Sequence, residues 1–426
     1  MKGLRKFSPK NTRTLWAWLG VLCVLFILVY LAYFLVRFHR EPDVSLIDGL
    51  RQCAEVTDND ASLVTCTRQT VDDALRHHTT AALMDEITKN DLPTKYYDCH
   101  SVAHVIGAET YRQYGDVEQA VMQCTNGCFD GCLHGVMGAA VQAAYGESDP
   151  GIDIVHMDVA QIESIGKKYC SNYGLCHGIG HVLYTVLNNF SKASDACSTI
   201  SGGIAEENCT AGVFMQGVGV IGDALVLATS SLSAAKVPPG DYAYPCNTID
   251  VRFQHSCFSY LGPYQMLAFK AAGIQDYSRQ IELQIGVCKS LPSISRSYCF
   301  EGLGKYSRNY GPATGTSSIA GRTAYFCEGL PSDPDKRSCV LGRISVLHGY
   351  RDYKGANDIC TALGPKDLRT FCYLATFVYF GPQSVPGVQG MCPDASDTLC
   401  SETFATYQKI RATLPDYRFG LYGEKS

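Results

Sequence analysis

Residues 327–339, CEGLPSDPDKRSC, and residues 360–372, CTALGPKDLRTFC, are two copies of one pattern. In each, a first cysteine is followed three residues on by leucine (Leu330, Leu363). A polar turn segment comes next (Pro331-Ser332-Asp333-Pro334, Gly364-Pro365-Lys366-Asp367), and the second cysteine closes the unit twelve residues after the first. Clusters of Pro, Gly, Ser and Asp mark turns. The residues after each second cysteine are apolar at helical spacing, as in Cys339, Ile344 and Leu347 or Cys372, Ala375 and Val378. Each copy therefore reads as the end of one helix, a turn, and the start of the next helix, stapled by a disulfide.

Moving outward, the same unit recurs at Cys197/Cys209, Cys246/Cys257 and Cys288/Cys299, with Ile200, Ile249 and Leu291 in the apolar place, and a looser copy at Cys53/Cys66. Glycine recurs three residues after a cysteine at Gly131, Gly212, Gly302 and Gly342, with Ala375 in the equivalent position. A residue without a bulky side chain lets two backbones approach closely. Taking positions 66, 99, 128, 176, 209, 257, 299, 339 and 372 as markers, the steps run from 29 to 48 residues, one helical hairpin each. Stacked hairpins of this size build an α-solenoid or a helical toroid. The fold expected is all-α: a disulfide-stapled α-hairpin repeat array. A loop of about a dozen residues gives roughly 3 kcal/mol of unfolded-state entropy per bridge.

Composition agrees with a large packed chain. The sequence has 426 residues, 46 % hydrophobic and 18 % charged, with a net charge of −5, and it carries 21 cysteines. The slight acidity excludes the basic stripe of a nucleic-acid binder. Twenty cysteines lie beyond Cys23, and this density points to an oxidising compartment.

Residues 15–36 are uncharged and apolar, with Trp16 and Trp18 at one end and Tyr30 and Tyr33 near the other. A helix of that length would rise about 33 Å, enough to span a bilayer. Lys2, Arg5, Lys6, Lys10 and Arg13 precede it. The expectation is a cytoplasmic basic tail over 1–14, a single transmembrane anchor over 15–36 and an extracytoplasmic remainder. That remainder divides into an irregular, histidine-rich part over 41–190, regular cysteine-paired repeats over 191–401, and a C-terminal cap and tail over 402–426.

Between residues 99 and 181 the regular spacing fails and histidines gather. Cys99-His100 is followed by His104, Cys176-His177 by His181, and Asp130 and His134 share the same four-residue interval. Residues four apart on a helix project from one face, and two imidazoles so placed can grip one ion. The positions after Cys209, Cys257, Cys299, Cys339 and Cys372 are Thr210, Phe258, Phe300, Val340 and Tyr373, so the hairpin itself does not require histidine there. The expected site is His100, His104, His134, His177 and His181 with Asp130, holding a transition metal such as Zn, Cu or Fe. Cys99, Cys124, Cys128 and Cys132 admit three pairings.

Gly174-Leu175-Cys176-His177-Gly178 resembles the Cys-His-Gly zinc segment of lanthionine cyclases. The resemblance covers five residues and implies a zinc-dependent, cyclase-like toroid with Cys176, His177 and Cys132 as ligands. It requires free thiolates, and the family's tryptophan-cysteine segment is absent.

Glu109, one turn beyond His104, reads as a surface residue or as a base beside the site. His77 and His78 read as solvated, and His156, His255 and His348 as structural. The sequence lacks a Gly-x-Ser-x-Gly elbow, a P-loop, a dinucleotide fingerprint and His-Glu-x-x-His. The expected function is that of a membrane-anchored metalloprotein, either a metalloenzyme or a metal carrier. The alternative is a non-catalytic scaffold that binds a protein or a cell-surface polymer.

Overall fold

A computed structural model describes residues 25–30, 45–56, 60–90, 99–144 except 126 and 129, 158–217, 240–307, 318–384 except 351, 392, and 397–413. Among these residues the protein is helical, with no strand. The N-terminal helices are α1 (Leu46–Val56), α2 (Asp60–Leu75), α3 (Thr80–Lys89), α4 (Cys99–Tyr114), α5 (Val117–Gln123) and α6 (Gly131–Ala144). Then come α7 (Val159–Tyr169), α8 (Tyr173–Leu187), α9 (Phe190–Ile200), α10 (Ile204–Gly217), α11 (Gln254–Ala271) and α12 (Tyr277–Ser290). The chain closes with α13 (Ser293–Lys305), α14 (Ile319–Glu328), α15 (Asp333–Gly349), α16 (Tyr353–Ala362), α17 (Lys366–Ser384) and α18 (Thr398–Thr413).

Local chemistry sets the helix starts. Ser332 accepts a hydrogen bond from the Asp335 N–H, Pro334 occupies the first turn, and Asp333 and Asp335 place negative charge at the positive end of α15. Asn172 caps α8 in the same way through the Leu175 N–H.

Packing sorts the helices into two kinds. The row α2, α4, α6, α8, α10, α11, α13, α15, α17, α18 packs each helix against the next in chain order, and shorter helices flank it. Within the row, α4 is buried around its circumference, with every residue from His100 to Thr110 out of solvent. Flanking helices bury one stripe, as α9 does with Phe190, Ala193, Ser194, Ala196, Cys197 and Ile200. Every row helix carries one cysteine of a staple, from Cys66 on α2 to Cys400 on α18.

All twenty cysteines from Cys53 onward pair. The five regular staples and Cys53–Cys66 form as the spacing predicts. The irregular cysteines resolve as Cys99–Cys128, Cys124–Cys132 and Cys170–Cys176, with Cys392–Cys400 near the end. This corrects the marker series: Cys132, not Cys128, stands on the row helix, and Cys128 reaches back to Cys99 from the preceding turn. The glycine equivalent to Gly212 is accordingly Gly135. A Cβ on Gly135 would lie 1.9 Å from the His104 carbonyl oxygen, and one on Gly107 would lie 1.9 Å from that of Cys132. Only a hydrogen fits between α4 and α6 at both places. Gly180 and Gly212 form the same reciprocal contact between α8 and α10, at 1.9 and 2.0 Å.

The single-pass membrane reading is overturned. Among the described residues no helix is long and apolar enough to cross a membrane. Within 15–36 the described residues are 25–30, which are helical. The remainder of that stretch and the 1–14 tail lie outside the described residues. The disulfides still point to an oxidising, extracytoplasmic setting.

Candidate metal centre

Three consecutive row helices bring the five histidines together. His100 and His104 come from α4, His134 from α6, and His177 and His181 from α8, each at most 5 % exposed. The helical spacing does what it predicts: ring centroids are 4.3 Å apart for His100 and His104 and 4.9 Å for His177 and His181. His134 sits between the pairs, 5.1 Å from both His100 and His104, 4.5 Å from His177 and 5.8 Å from His181. The absence of side chains at Gly131 and Gly135 makes this possible, since a Cβ on Gly131 would lie 3.2 Å from His100 Nδ1.

The donor atoms form two groups. One nitrogen each of His100, His104 and His134 lie within 4.8 Å of one another, as do one each of His134, His177 and His181. Both groups could hold a metal ion. In the first, His104 Nε2 is 2.9 Å from His100 Nε2 and 3.1 Å from His134 Nδ1. A single proton on His104 Nε2 can serve both contacts; an ion can take the same place.

Neighbouring groups fix the tautomers. His100 Nδ1 lies 2.8 Å from the Cys128 carbonyl, which can only accept, so Nδ1 carries the proton and Nε2 presents a lone pair to the group. His181 Nδ1 donates to Gln216 Oε1 at 3.0 Å, which leaves its Nε2 as the donor atom towards a metal. The Met215 thioether lies 3.4 Å from His177 Nε2.

Four of the rings, His104, His134, His177 and His181, are held neutral. Burial and then the surrounding imidazoles push His104 and His134 well below the usual histidine range. His177 is lowered in the same way by burial, with His181, His100 and Lys305 adding to it against a contact with the Asn208 backbone. Burial takes His181 down to about 4 despite its bond to Gln216. Neutral imidazole is the ligating form.

Other expected residues fall elsewhere. Asp130, immediately before α6 with φ of 56°, belongs to neither histidine group. Cys132 and Cys176 are both in disulfides, so the thiolates implied by the cyclase resemblance do not exist here. Glu109 is buried, and it pairs with Arg68 at 2.9 Å and Arg112 at 2.5 Å rather than facing solvent. His156 lies outside the described residues. His255 joins an ion cluster with Glu207 at 2.5 Å and Glu301 at 3.3 Å, three successive row helices each giving one member. Sequence reasoning also missed Met215 and Gln216, which lie 38 and 35 residues beyond their histidine partners with no local motif to mark them. No protein-family model, curated protein or solved structure matches the chain.

Proposed function

We propose that this protein is an extracytoplasmic metalloprotein, an α-solenoid whose row helices hold a transition-metal centre on His100, His104, His134, His177 and His181. The observation that carries the reading is the approach of His104 Nε2 to His100 Nε2 at 2.9 Å and to His134 Nδ1 at 3.1 Å. Nitrogens on a tetrahedral ion with bonds of about 2.05 Å stand about 3.3 Å apart, so these two separations need to open by only a few tenths of an ångström. A purely structural role fits less well. His134 Nε2 is buried and makes no hydrogen bond among the described residues, a cost of about 1–3 kcal/mol that an apolar side chain would avoid.

All-imidazole donors suit Zn, Cu or Fe, and the thioether of Met215 beside His177 favours copper. The rings are enclosed by packed helices, whereas a hydrolytic metal site keeps a position open to substrate. That enclosure supports metal carriage, storage or electron transfer ahead of hydrolysis.

Metal analysis of the purified chain tests the reading. Near-stoichiometric copper or zinc, lost in the double variant His100→Ala/His177→Ala with its disulfides intact, is expected. A fully folded wild-type chain that takes up no metal from either solution leaves a scaffold and refutes the metalloprotein.

A further inference from the structure

The five histidines are one more than a tetrahedral ion uses, and they do not share a centre. Donors on one ion must all lie within about 4.2 Å of one another, twice a metal–nitrogen bond. Here the nitrogens meet even a 4.8 Å limit only as two triples, and His134 belongs to both. His100 and His104 contact His134 from α4, and His177 and His181 contact it from α8.

An imidazole has two nitrogens on opposite sides of its ring. In His134, Nδ1 is committed to the first triple by its 3.1 Å approach to His104 Nε2. Nε2 is buried and makes no hydrogen bond among the described residues. From this we infer that the centre is dinuclear: one ion on His100, His104 and His134 Nδ1, a second on His134 Nε2, His177 and His181, with the His134 ring as a bridging imidazolate. Binding the second ion displaces the remaining ring proton of His134 to solvent, so both nitrogens donate electron pairs and the bridge carries one negative charge. The inference rests on the metalloprotein reading above and adds the number of ions and the bridge.

The two halves are not equally prepared. The first triple has its nitrogens already converged. In the second, His177 lies nearly parallel to His134, at 18°. Parallel rings cannot both aim in-plane lone pairs at one point, so His177 must turn about its side-chain torsion before the second ion is held. Loading in two steps follows, the first tighter than the second.

Copper(II) titration of the full chain, with weakly held copper stripped on a chelating resin, tests this. The expected result is two ions per chain in two steps, with an electron paramagnetic resonance spectrum showing exchange coupling and a half-field transition. His100→Ala/His104→Ala and His177→Ala/His181→Ala are each expected to retain one ion and show an uncoupled spectrum. A single ion per chain, or two ions without coupling in the unaltered protein, overturns the bridge while leaving a metalloprotein. No retained copper overturns the dinuclear centre, and no retained copper or zinc overturns both readings. The spectrum of the unaltered chain decides the matter even if a variant does not fold.

Discussion

Replacing Gly107 by alanine adds one methyl group where the structure leaves no room for it. The new Cβ would stand 1.9 Å from the Cys132 carbonyl oxygen and 2.7 Å from its carbon, both backbone atoms of α6. Neither is the end of a flexible chain, so α4 and α6 must part by about 1.3 Å to reach ordinary contact. Overpacking of this kind costs about 1–3 kcal/mol, and a rigid target places it at the upper end. Alanine returns up to about 1 kcal/mol of helix preference, for a net loss of about 2 kcal/mol. The same displacement carries His134 away from His100 and His104. Metal ligands tolerate about 0.2 Å, so metal affinity should fall at least tenfold. Gly286, in α12, is the control: a Cβ there meets nothing within 4 Å, and Gly286→Ala should stabilise slightly and leave metal binding unchanged. Amide exchange in α4 and α6 and competitive metal titration read both effects. Unchanged exchange and unchanged affinity in Gly107→Ala would refute the idea that glycine contacts set the geometry of the centre.

Two further perturbations test the rest of the row. Burial opposes charge on His255, but Glu301 and Glu207 outweigh it and raise the imidazole to about 9. A folded value above the unfolded value of about 6.5 means the stabilisation is complete below pH 6.5 and is lost as pH climbs towards 9, about 2–3 kcal/mol in all after solvent screening. Urea unfolding at pH 6, 7.5 and 9.5 should show that decline, and His255→Gln should flatten it; an equal slope in the variant would sink the assignment. Cys288→Ser/Cys299→Ser opens a staple of eleven residues and should cost about 3 kcal/mol. Faster proteolysis in α12 and α13 with full metal content is the expected pattern, whereas loss of metal would show that the centre depends on distant staples.

The array was legible because its staples are local. A separation of eleven or twelve positions between cysteines leaves one sensible geometry, a helix end tied to the next helix start, and all five regular pairs take it. Cys99, Cys124, Cys128 and Cys132 were not legible, since their pairing depends on how α5 lies against α4 and α6, which spacing does not encode. The histidines divide in the same way. The i, i+4 interval placed His100 with His104 and His177 with His181, but that His134 lies between the two pairs is a matter of helix order in space. The Cys128 carbonyl, Met215 and Gln216 carry no signal at all, one being backbone and the others lying on the neighbouring helix α10. Glu109 misled because a lone carboxylate reads as exposed until its two arginines are seen.

His104 and His181 touch, at 5.6 Å between ring centroids, although α4 and α8 are separated in the row by α6. A linear array ordinarily owes its cohesion to adjacent units alone and can unzip from either end. Here an arch of side chains leaps over one unit to meet the next. Two ions bridged by His134 beneath that arch would lock three hairpins into a keystone, so fraying that starts at either terminus should halt there, and metal withdrawal should let it pass.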